Sequence, residues 1–285
     1  MKWEEICLRL LDILYRVAEA NKGESTGPDG ILHDAEGLIV KVFFHTASAL
    51  YLFRGTVIKD LPSVEVNFVD PGSIDVAIRA ALEAFLTLHY LYITPASDEE
   101  RELRYLSWQI AGLMERQDYP TLSAEGVEVK ARDMSVIEKW RTKLNSNPLF
   151  SELTPKQQEG IRSGRHKFLP LSLPEPWETP SWRKLAESAG LAKFYAETGY
   201  SVLSGYAHSS SLSVLQMKQA NSLVAQQQLV SGPIGILNIV LANAITCYCE
   251  LFPKPKATLQ SDPAAALLVK VWVGVGKSNL PRVAP

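Results

Sequence analysis

The stretch from Ser73 to Thr94 reads SIDVAIRAALEAFLTLHYLYIT, a helix-length run that is apolar nearly all round. Such a helix must be covered on more than one side, so other segments have to pack around it. Asp70-Pro71 sets its start, because aspartate can cap a helix and proline suits the first turn. The run carries three formal charges, and two of them, Arg79 and Glu83, are four residues apart and share one helical face. A buried charge without a partner costs several kcal/mol, so each must be paired or face a wet cavity.

Partners are offered by a second stretch, Phe194 to Ser211, reading FYAETGYSVLSGYAHSSS. Tyr200, Ser204 and His208 are four residues apart and stack along one face of a helix. Gly199 and Gly205 flank them, and a glycine inside a helix lets another backbone come close. The expectation is a polar cluster where these two helices meet. In its functional form, His208 and Glu83 are the catalytic residues. His208 is the general acid or base, because an imidazole titrates near neutrality. Arg79 binds a phosphate or carboxylate with its planar fork, Glu83 orients it, and Tyr200 and Ser204 support them. In its structural form the same residues make a hydrogen-bonded network that fixes helix register.

These two segments resemble a family of uncharacterised bacterial helical proteins, grouped as a domain of unknown function. The resemblance rests on Arg79-Ala-Ala-Leu-Glu83-Ala-Phe85 followed by Tyr200-Ser-Val-Leu-Ser204-Gly-Tyr-Ala-His208, and spans residues 70–212. It implies an all-α fold and sets Arg79, Glu83, Tyr200, Ser204 and His208 apart, without implying an activity. A looser likeness is to the small helical RNases of prokaryotic toxin and phage-defence systems, which cut RNA with an arginine and a histidine close together in one motif. Here Arg79 and His208 lie on different helices. Arg162 and His166 are close, but with Arg165 and Lys167 they read as a solvated basic turn.

Helical spacing also marks 2–20, 31–59, the capping-box helix after Ser97-Asp-Glu-Glu100, 126–146, a short helix after Thr154-Pro155-Lys156-Gln157, another after Thr179-Pro180, and 231–252. Ser209 to Gln228 is polar and of uncertain class, and the extended piece SVEVNF has no obvious partner strand. The expected fold is all-α, a bundle of about nine helices. It forms one domain over 1–285 with a loose tail over 276–285.

The net charge of −2 gives no global field that draws nucleic acid. Three cysteines make no disulfide framework and suit a reducing cytoplasm. Ile234 to Phe252 approaches the length of a membrane span, but Asn238, Asn243 and Glu250 interrupt it and no basic cluster flanks it, so it reads as a core helix. His45, alone on an apolar face, is expected to be a core residue. Gly274-Val-Gly276-Lys277-Ser278 ends like a phosphate-binding loop but has valine at 271 and only seven residues after it. No spacing supports a metal or cofactor. Two readings of different class follow, both cytoplasmic, bacterial in style and off the membrane. One is an enzyme acting on RNA or a nucleotide. The other is a non-catalytic module that binds a protein partner or a second copy of itself.

Overall fold

A computed structural model describes residues 2–24, 30–59, 62, 64–172, 177–207 and 210–278. The chain is all-α, with fourteen α-helices and one π-helix among the described residues. They fall into two compact units, residues 1–90 with 182–285, and residues 91–181.

The first unit opens with α1 (Trp3–Ala20) and α2 (His33–Phe53). Gly55, at φ +100°, then turns the chain out of the helix, and β1 (Thr56–Ile58) pairs antiparallel with β2 (Val66–Phe68). The sequence pattern extended the helix to residue 59 and left SVEVNF unpaired. The β-branched residues of β1 fit a helical period as well as a strand, so periodicity alone did not separate them. α3 (Pro71–Tyr92) begins as expected: Asp70 accepts a hydrogen bond from the Gly72 amide at 3.0 Å, with proline in the first turn.

The second unit holds α4 (Asp98–Asp118), α5 (Ala124–Asn145), α6 (Pro148–Ser151) and α7 (Pro155–Arg162). Both expected caps form. The Ser97 hydroxyl accepts from the Glu100 amide at 3.2 Å, and Thr154 and Gln157 close a reciprocal box. The basic turn after α7 is more tied down than a solvated loop. Arg162 donates to Asn145 at 2.6 Å, and the His166 ring packs over Gly160, where a Cβ would collide with it, and edge-on to Trp177.

The first unit resumes with α8 (Trp182–Ser188), the π-helix (Phe194–Gly199), α9 (Tyr200–Ala207), α10 (Ser211–Gln219), α11 (Leu223–Leu229), α12 (Ser231–Leu251), α13 (Pro253–Gln260) and α14 (Pro263–Lys277). The count of about nine helices was too low. Of the five uncounted helices, α6, α10, α11 and α13 are one to three turns long, too short for a hydrophobic period; α13 begins with the proline that was read as the end of α12, and α14 is the apolar run that follows it. Residues 279–285 of the expected tail lie outside the described residues.

α12 is the centre of this unit, packed against α1, α2, α13 and α14. Its most apolar window is 78% buried, which a core helix needs. The asparagines inside it are bonded rather than bare: Asn243 donates to the Ile239 carbonyl at 2.8 Å, and Asn238 to the Trp3 carbonyl at 3.1 Å. Gly235 leaves the space into which Trp3 packs, and Trp3 in turn meets Trp272 of α14 edge-on at 5.5 Å.

Candidate functional site

α3 supplies two of the residues in question and α9 two more, all within the first unit. Arg79 and Glu83 are successive turns of α3, and Arg79 Nε donates to Glu83 Oε1 at 2.9 Å. Tyr200 reaches both from α9. Its hydroxyl accepts from Arg79 Nη2 at 2.8 Å and donates to Glu83 Oε1 at 3.2 Å, closing a triangle. The guanidinium also stands 4.9 Å from the centroid of the Tyr200 ring, a cation–π distance. The pair is only partly covered, with side-chain exposures of 24% for Arg79 and 29% for Glu83.

The electrostatics follow from that geometry. Burial works against the charge on Arg79. The hydrogen bond that Arg79 donates to Glu83 and the nearby oxygens of Tyr200 and Glu83 outweigh it, so the guanidinium is held more firmly protonated. Burial, and then the Glu83 charge, push the Tyr200 phenol up, so it stays a neutral hydroxyl that both donates and accepts.

Tyr200 is placed by an irregularity that the sequence did not announce. The expected continuous α-helix from about 191 to 208 is instead a π-helix over Phe194–Gly199 followed by α9. A π turn adds a residue to the helical repeat and so rotates whatever follows, here Tyr200, and such turns are frequent at functional sites. Gly199, expected to ease the approach of the paired helix, instead faces α12, where an added Cβ would come within 3.3 Å of Ile236.

Ser204 is one turn beyond Tyr200. Its Oγ is buried and has no hydrogen-bond partner. His208 lies outside the described residues, so the structure brings Arg79, Glu83 and Tyr200 into contact and sets Ser204 beside them on α9.

The sequence reading missed Asp75. It is one turn before Arg79 on the same face of α3, is 0% exposed, and neither carboxylate oxygen has a hydrogen-bond partner. Burial, reinforced by the charge of Asp70, pushes its carboxyl up to about 8, so it is held protonated at neutral pH. Burial first, and then Asp75 once it ionises at higher pH, push the Tyr206 phenol up, and that hydroxyl donates to Gln216 at 2.9 Å. α9 therefore runs opposite to α3, with Tyr200 beside Arg79 and Glu83 and Tyr206 toward Asp75. The signal was available: Asp75, Arg79 and Glu83 share the i, i+4, i+8 spacing. A cavity of 420 Å³ opens at this end, lined by Ser73 and Val76 of α3, Tyr206 of α9, and Ser213 and Met217 of α10.

Among the described residues no group of three His, Cys, Asp or Glu side chains comes together that could hold a metal ion. No family model, curated protein or solved structure matches the chain.

Proposed function

We propose that the seam between α3 and α9 is the active site of an enzyme acting on a phosphodiester or nucleotide, RNA being the first substrate to try. Arg79 binds the anionic group, Glu83 and Tyr200 hold the guanidinium in one orientation, and His208 moves the proton. Glu83 has a second role as the carboxylate nearest the reacting group. The observation that carries the reading is the Arg79–Glu83–Tyr200 triangle, part-exposed, beside a buried serine hydroxyl with no partner. A polar atom left unsatisfied in a native interior costs about 1–3 kcal/mol and calls for an explanation, of which a bound substrate group is one. A guanidinium fixed by a carboxylate and a phenol is preorganised, so little is lost in orienting it when a phosphate arrives. The π turn that sets Tyr200 and the resemblance to uncharacterised bacterial helical proteins in these same residues support the same place.

A second reading is favoured by one feature of the triangle: Arg79 Nε and Nη2 are already engaged within the chain. In that reading the network fixes the register of α3 against α9, and the protein is a non-catalytic interaction or sensing module. Cleavage of an RNA oligonucleotide and a panel of nucleotides by the wild-type chain and His208→Ala, with a thermal melt of each, separates the two. The enzymatic reading expects activity that falls about 100-fold or more in the variant at a nearly unchanged melting temperature. An inert wild type together with a destabilised variant overturns it.

A further inference from the structure

We propose that the outward face of α2 is where a second copy of this chain docks, α2 against α2 in parallel about a two-fold axis. Only 33% of the most apolar window of α2 is buried, although the helix is apolar enough to invite cover. Its outward face carries Gly37, Val40, Phe44 and Tyr51, with the exposed Ser48 among them and Ala47 half-buried at its edge. Residues three and four apart line one side of a helix, so the large apolar members of this set form one stripe. Phe44 is 62% and Tyr51 73% exposed, and Tyr15 of α1, 52% exposed, extends the patch through Phe43, with rings 6.1 Å apart at each step. At roughly 200 Å² per aromatic side chain, these three rings leave about 400 Å² open to water. That is about half of what each partner contributes to a standard interface. It also matches the largest apolar patch that monomers ordinarily tolerate.

Charge indicates both the occupant and the direction. Lys41 flanks the seam, is exposed, and makes no ion pair among the described residues. Glu36 flanks the other side five residues earlier; its carboxylate is 29% exposed, accepts from the buried Asn21 at 2.8 Å and stands 3.8 Å from His33 Nδ1 of its own helix. In a parallel pair of helices, residues on opposite flanks five apart meet across the seam, so Glu36 of each copy faces Lys41 of the other, twice. An antiparallel pair centred on Phe44 sets Lys41 opposite Ala47 and Ser48, with no acid to meet. A lipid surface is the poorer fit, because the helix carries Asp34 and Glu36 against one lysine, whereas interfacial helices are rich in basic residues.

Sedimentation of the full chain tests this. The wild type sediments as a dimer at micromolar concentration. Phe44→Asp raises the dissociation constant about 100-fold with an unchanged melting temperature, and Lys41→Glu raises it several-fold. Val40→Cys, which meets itself only in the parallel arrangement, forms an intermolecular disulfide under a mild oxidant, the three native cysteines being buried. A wild type monomeric at about 100 µM, or a Phe44→Asp variant that dimerises normally, overturns the proposal. So does pelleting of a monomeric chain with anionic vesicles that Phe44→Asp abolishes, which assigns the face to lipid instead.

Discussion

Asp75→Asn should stabilise the protein, and by an amount that depends on pH. The carboxyl is fully buried, has no hydrogen-bond partner, and is pushed up from 3.8 to about 8. Between those two values the unfolded chain has released the proton and the folded chain retains it. Stability therefore falls as pH rises across that window, by about 1.4 kcal/mol per pH unit. The full contribution is present below pH 3.8 and is lost progressively until the folded group itself ionises near pH 8. At pH 7 the accumulated cost is at most about 4 kcal/mol, a large part of a typical domain's stability. Asparagine is nearly isosteric, carries no charge at any pH and lifts that cost. Its own unmet hydrogen bonds cancel part of the gain by the same amount at every pH. Urea unfolding of both proteins at pH 4.5, 6.0 and 7.5 reads the difference directly. Every other carboxylate titrates alike in the pair, so the change in the gap isolates Asp75. The variant should gain on the wild type by about 1 kcal/mol or more per pH unit. A gap that stays constant with pH would refute the raised carboxyl and, with it, the picture of Asp75 as a dry, unpartnered acid.

Other outcomes follow from neighbouring groups. Glu83→Gln removes the charge that holds Arg79 and Tyr200 together and should cost about 1–3 kcal/mol in chemical denaturation, part of the charge remaining solvated. Tyr200→Phe keeps the ring over the guanidinium but loses two hydrogen bonds, and should cost about 1–2 kcal/mol in the same assay. Gly235→Ala drives a methyl into the ring of Trp3 and should lower stability by about 1–3 kcal/mol, with a change in tryptophan fluorescence as the Trp3–Trp272 contact shifts.

How far these features were legible in the sequence depends on what each leaves in a linear pattern. α3 was readable in full because Asp70-Pro71 marks its start and its apolar residues leave no ambiguity of period. The meeting of Arg79, Glu83 and Tyr200 was readable because isolated polar groups on two apolar helices have few other places to go. The π turn was not, since Phe194–Gly199 carries no residue type that demands it. α10 and α11 were not, because their polar and apolar residues do not segregate to faces, and serine caps at Ser210 and Ser222 define them instead. Asp75 was overlooked for a different reason. A single acid near a helix start reads as favourable to the helix dipole, and only burial turns it into a liability.

The claim on which the account rests is that Arg79, in the grip of Glu83 and Tyr200, receives an anionic substrate group. The most direct measurement is fluorescence anisotropy of a labelled, non-cleavable RNA oligonucleotide titrated with the wild type and with Arg79→Lys, which keeps the charge but loses the planar fork. The account predicts binding at least about tenfold weaker in the variant, with a melting temperature close to that of the wild type. Equal affinity in the two proteins, or no binding by either, would contradict it.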